Sequence, residues 1–178
     1  MDARRRRGGG SGAGDLRTTA LRAGPGRARA LELGDGDGPA VVVLVSAPTG
    51  AGAYLPLLEA LQGRFRAMAL ELDAPDPERA EARDARLVAV AAEAMDALRI
   101  GRAAVVGQGT SGRVAVELAI GRPGLVAGLV LAAPASLARV QDVQVPVLLY
   151  RRGGIVEHPA LFARALAAFA LRLQLQTA

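Results

Sequence analysis

Between Val105 and Ala119 the chain crowds three glycines, an amide and two hydroxyls into one short stretch: Gly107, Gln108, Gly109, Thr110, Ser111 and Gly112. Two chemistries use such a stretch. Glycines in the order G-x-G-x-x-G, matched by Gly107, Gly109 and Gly112, let a backbone approach a pyrophosphate at a helix N-terminus. Alternatively, a sharp turn from strand to helix lifts one side chain clear of the strand end, and a hydroxyl there attacks a carbonyl if a base is in reach. Ser111 is the nearby nucleophile candidate, although serine is also a common helix N-cap. The base would have to be His158, the single histidine, whose ordinary alternative is a solvated helix cap. Glu157 is the nearest carboxylate, and its plain role is a charge in the first turn of a helix. With no cysteine, thiolate nucleophiles, disulfides and thiolate metal sites are excluded. One histidine rules out a multi-histidine centre within one chain, so neither metal nor cofactor is expected.

The surrounding elements must hold that turn. Leu16 to Ala23 and Ala28 to Leu33 read as strands joined by Gly24-Pro25-Gly26, and residues 34–39 as a second turn. Ala40 to Val45 is an unbroken apolar run, the mark of a strand buried on both faces. Tyr54 to Leu61 has helical spacing, with Pro56 tolerable in its first turn. Phe65 to Leu72 is a strand, Asp73 to Arg79 a loop, and Ala85 to Leu98 a helix with Asp84 as N-cap. Ala103 to Val106 is a strand, Ser111 to Ile120 a helix, and Leu125 to Ala133 and Val145 to Tyr150 are strands. Pro159 opens a last helix to about Leu173. Alternation of strand and helix from residue 40 onward predicts a three-layer α/β/α sandwich with a mostly parallel sheet. In that order the glycine turn does not follow the first strand, and the next strand ends Leu131-Ala132-Ala133-Pro134 without the acid that dinucleotide binding needs.

Gly34 to Leu61, Ala94 to Pro134, Val145-Pro146-Val147-Leu148-Leu149 and Glu157 to Phe162 together resemble an α/β-hydrolase core. The resemblance covers roughly three quarters of the chain, and the combination rather than any one motif is specific. It implies a trimmed hydrolase core without a lid domain, since only a short connection separates Pro134 from Val145. It implies a nucleophile elbow, G-x-S-x-G, whose serine position is taken by Gly109. Making Ser111 the apex would put Arg113 where the elbow needs a small residue. In the family, a His-Gly pair and then an oxyanion donor follow the first buried strand. The matching residues here are Ser46-Ala47, and the donor position is Pro48, which has no N–H, or Thr49 if the match slips by one. The second donor would be Thr110. The acid expected after Tyr150 is absent from Arg151-Arg152-Gly153-Gly154, and one strand and the histidine loop before the last helix are missing. Together these losses imply negligible ester hydrolysis.

The expected function is therefore a non-catalytic homologue of serine ester or thioester hydrolases that binds a small apolar or ester-like ligand or a protein. Its pocket would be lined by Ser46, Pro48, Gln108, Gly109 and Thr110 at the strand ends. The alternatives are a weak esterase or thioesterase using Ser111 and His158, and a dinucleotide binder using Gly107, Gly109 and Gly112. At 178 residues and 51 % hydrophobic, the chain is long enough for one domain, placed at 15–178, with a core of Ala, Val and Leu. All 22 basic residues are arginine. Residues 1–14, with Arg4 to Arg7 followed by glycines, read as a disordered tail. For that tail a solvated role is expected rather than contact with nucleic acid or an acidic surface. No apolar stretch follows the arginines as a secretory signal would need, and none is long enough to span a bilayer, so a cytoplasmic location is expected. Oligomeric state is not legible.

Overall fold

The run Ala40–Ser46 decides where the middle of the sheet lies. In the computed structural model, which describes residues 4–7, 15–34, 38–46, 48–74, 80–151 and 153–175, Val41 to Val45 are all buried. They form the fourth of eight strands among the described residues: β1 (Arg4–Arg7), β2 (Leu16–Ala23), β3 (Gly26–Leu33), β4 (Ala40–Ser46), β5 (Arg66–Asp73), β6 (Ala103–Gln108), β7 (Val126–Ala132) and β8 (Val147–Tyr150). The spatial order is β1-β2-β3-β5-β4-β6-β7-β8. β4 pairs in parallel with β5 and β6, and the parallel ladder continues through β7 to β8. β1, β2 and β3 are antiparallel additions on the β5 side. A strand whose side chains point alternately up and down can be apolar throughout only if both sheet faces are covered.

They are. α2 (Ala80–Ala97) and α3 (Ser111–Gly121) cover one face, where Val42, Leu44, Met68, Val105 and Leu129 meet Val90, Met95, Val114 and Leu118. α1 (Leu55–Leu61) and α4 (Pro159–Leu175) cover the other, where Val41, Val43, Val45, Val106 and Val130 meet Leu57, Leu58, Phe162 and Leu166. The chain thus has the expected three-layer α/β/α architecture with a mostly parallel sheet. The core is aliphatic, with Phe65 and Phe162 its largest fully buried side chains. Layers approach closely at one glycine: a Cβ on Gly128 would lie 2.7 Å from Leu173 Cδ1 and 2.9 Å from Phe169 Cε1, so a larger residue on β7 would require those α4 side chains to shift. Among the described residues no helix is long and apolar enough to cross a membrane.

Three local expectations are corrected. Arg4–Arg7 is not a free tail but an edge strand, each residue in register with one between Arg17 and Ala20. Pairing of this kind uses backbone groups of the open β2 edge, which side-chain composition does not reveal. Residues 1–3 and 8–14 lie outside the described residues. Asp84 is not an N-cap, because α2 begins at Ala80, in a run of good helix formers. Its carboxylate instead pairs with Arg113 on α3 at 3.1 Å. Glu157 precedes α4, in a turn, and does not belong to its first turn.

Candidate functional site

The parallel strands all end on the same side of the sheet, and the turn from β6 into α3 sits among those ends. Gly107 is the last buried residue before it. A Cβ on Gly107 would lie 2.7 Å from Gly112 Cα, 2.8 Å from Ser111 O and 2.9 Å from Ala115 Cβ. Gly107 therefore serves the crossing of strand and helix backbones, whereas a Cβ on Gly112 would make only ordinary contacts, 3.5 Å from Pro134 Cβ and 3.7 Å from Leu131 Cδ2. Gly109 is different. Its φ is +56°, in the left-handed region, and a Cβ there would meet nothing within 4 Å. Its position is held by backbone hydrogen bonds: its N–H donates to Ala132 O at 3.3 Å, and its carbonyl accepts from Ala135 N–H at 3.1 Å and from Gly112 N–H at 3.3 Å. The apex of the turn is thus a fixed backbone point with open space above it.

Ser111 lies below that apex. It is 5 % exposed, the one buried polar residue among the described side chains. Its Oγ shares a hydrogen bond of 2.9 Å with Ser46 Oγ at the end of β4, and Ser46 Oγ lies 3.4 Å from Thr110 Oγ1. Alternation explains the meeting, because Ser46 follows Val42 and Leu44 on the face that α3 covers. Ser111 is not the N-cap of α3: Thr110 holds that position, without a side-chain capping bond.

Gln108 points to the opposite face, in step with Ala104 and Val106. Its Oε1 accepts from Tyr54 O–H at 3.5 Å and from Ile155 N–H at 3.3 Å. The Glu157 carboxylate lies against Gly154 in the same cluster. Burial, and next the negative charge of Glu157, push the Tyr54 hydroxyl above its ordinary pKa, so it stays a neutral donor at physiological pH. Tyr150, at the end of β8, packs its ring edge-on to Phe162 with centroids 4.9 Å apart, and its buried hydroxyl has no hydrogen-bond partner among the described residues.

The side chains of the five residues expected to line one pocket are divided between the two faces of the sheet. Ser46 and Thr110 gather with Ser111 on the α3 face, and Gln108 turns toward α1 and α4, with Gly109 between them. Pro48 is exposed in the loop after β4, beside Ala47, which lies outside the described residues. His158 is exposed, its ring edge is near Gly153, and its carbonyl accepts from Phe162 N–H at 3.1 Å. It makes no hydrogen bond to Ser111. The residues that sequence reasoning passed over are Tyr54 and Ile155, which reach Gln108 from segments distant in the chain. That Tyr54 is one of only two tyrosines was the available signal. Among the described residues no group of three His, Cys, Asp or Glu side chains could hold a metal ion.

No family model matches the chain, and no curated protein matches it. Solved structures do. A haloalkane dehalogenase from Bradyrhizobium elkani superposes with a TM-score of 0.58 at 22 % identity, over 67 % of this chain and 42 % of that one. A 2-hydroxy-6-oxo-6-phenylhexa-2,4-dienoate hydrolase from a Rhodococcus strain gives 0.61 at 22 %, over 67 % and 46 %. An epoxide hydrolase from Vigna radiata gives 0.57 at 22 %, over 66 % and 39 %. The fold is that of the α/β-hydrolases. The chain spans less than half the length of each of these structures.

Proposed function

We propose that this chain is a binding protein of serine ester or thioester hydrolase descent, which holds a small apolar or ester-like ligand at the strand ends without hydrolysing it. The observation that carries this reading is the pairing of an empty apex with a withdrawn hydroxyl. Gly109 occupies the point of the turn at φ +56° with open space above it. Ser111, the nearest serine in the chain, is buried and hydrogen-bonded to Ser46. A serine nucleophile needs exposure to substrate and a base within hydrogen-bond reach. Neither condition is met by Ser111 and the exposed His158. Pro48 has no N–H to offer a developing oxyanion. Loss of one member of a catalytic triad alone costs about 10⁴-fold in rate.

The test is a fluorophosphonate probe, which reacts with activated serines. No stoichiometric labelling of the wild-type chain is expected. Stoichiometric labelling that disappears in Ser111→Ala would overturn the reading in favour of a weak esterase or thioesterase using Ser111 and His158.

A further inference from the structure

The positive charge of this chain is concentrated at one end of the sheet. Eight of its 22 arginines fall in the first 30 residues, beside only two acids, Asp2 and Asp15. The remaining 14 arginines are matched by 15 carboxylate side chains, so the rest of the chain is close to neutral. The structure assembles that basic segment into β1, β2 and β3, the antiparallel strands that extend the sheet beyond the parallel core. β1, four consecutive arginines, is the outermost strand.

Within it, Arg22 and Arg27 stand directly opposite one another on β2 and β3, flanking the Gly24-Pro25 turn. Both are exposed, and among the described residues neither has an ion-pair partner. Like charges directly opposite on one sheet face repel and destabilise the pair. Arg29 shares their face two residues on, and its guanidinium pairs with Glu71 at 2.6 Å. On its other side Arg27 stands opposite Asp73 of β5, and Arg22, Arg27 and Asp73 form walls common to two depressions of about 520 and 530 Å³, the first of them also lined by Arg29 and Glu71. A planar guanidinium binds a phosphate through two parallel hydrogen bonds, so an opposed pair of them is relieved when a phosphate enters between.

We propose that the β1–β3 end of the sheet docks the phosphate backbone of double-stranded nucleic acid, with Arg22 and Arg27 as its central contacts. The binding is independent of base sequence. None of the chain's aromatic residues lies in these strands, so no platform exists on which unpaired bases could stack. The exposed large hydrophobic side chains, Leu137, Leu149, Val156, Leu161 and Leu171, also lie elsewhere, so the face has no apolar wedge for a lipid surface. This proposal is independent of whether the strand-end site hydrolyses anything.

The experiment is fluorescence polarisation of the full chain with a labelled duplex of about 20 base pairs, titrated from about 25 to 200 mM NaCl, where each phosphate contact adds about −0.9 to the log–log salt slope. Binding at low salt is expected. R22A/R27A should weaken it at least about tenfold at the lowest salt and make the slope shallower by about two contacts. R164A, on α4, should leave affinity and slope unchanged. R22Q and R27Q singly, each removing about one contact from the slope, keep the test decisive if the double variant does not fold. Absence of duplex binding at the lowest salt, an unchanged slope in the Arg22 and Arg27 variants, or an equal loss in R164A would overturn the proposal. So would binding to vesicles of phosphatidylserine and phosphatidylcholine without binding to the duplex.

Discussion

Replacing Gly107 and Gly109 separately by alanine distinguishes the two reasons for which a turn requires glycine. At Gly107 the new methyl would sit 2.7 Å from Gly112 Cα and 2.8 Å from Ser111 O. Both are backbone atoms, which cannot rotate aside, so α3 must lift from β6 and spoil the packing of Val114, Ala115 and Leu118 beneath it. Overpacking of this sort costs about 3 kcal/mol or more when backbone has to move. At Gly109 the methyl meets nothing, and the penalty is only the left-handed backbone, about 1–2 kcal/mol. Part of that is offset, because alanine restricts the unfolded chain by about 0.4–1 kcal/mol. The net expectation is a loss of about 1 kcal/mol for G109A, against about 3 kcal/mol for G107A. Urea unfolding followed by far-ultraviolet circular dichroism measures both, the chain having no tryptophan. Equal losses, or a larger loss for G109A, would refute the assignment of packing to one glycine and backbone conformation to the other. G109S should be tolerated like G109A and should remain unreactive to a fluorophosphonate, since a hydroxyl placed there still lacks a base.

Three further outcomes are expected. Tyr150→Phe removes a buried hydroxyl without a partner while keeping the edge-on contact with Phe162, so stability should be unchanged or rise by up to about 1 kcal/mol in the same unfolding assay. Ser46→Ala and Ser111→Ala should each cost about 1 kcal/mol, and the double variant less than their total, because the two hydroxyls satisfy one another; strict additivity would argue against the 2.9 Å bond. Burial acts to raise the pKa of Glu71, but the Arg29 hydrogen bond, the Ala51 N–H and the Arg29 charge outweigh it and hold the carboxyl below 4.5. A depressed folded pKa contributes stability that is complete above the unfolded value and is lost as pH falls through the folded one. Glu71→Gln should therefore flatten the fall in melting temperature below about pH 4.5, and an unchanged profile would show that the interaction contributes nothing.

Much of the frame was legible because burial leaves periodic traces. The continuous apolar run in β4 announced a central parallel strand, Pro56 and Pro159 marked the starts of α1 and α4, and Gly24-Pro25-Gly26 placed the β2–β3 turn. The glycine turn after β6 was legible as a turn. Its details were not, since they depend on which side chains the fold brings together. Ser46 and Ser111 meet because β4 and α3 share a face, and Tyr54, Gln108 and Glu157 converge from three separate segments. The edge strand Arg4–Arg7 escaped notice for a different reason, since its pairing is made by backbone groups that carry no side-chain signature.

The close contact of Gly107 with Gly112 bears on how sequence patterns are used. A search for G-x-G-x-x-G responds here in part to Gly107, a glycine that this crossing of strand and helix requires for steric reasons, whatever ligand is or is not present. Such a constraint can outlast any chemistry once performed at the apex, because mutation at Gly107 is selected against by folding alone. A glycine at the strand end of a β-to-α turn therefore reports the geometry of the crossing, and evidence for activity has to be sought at the apex that follows it.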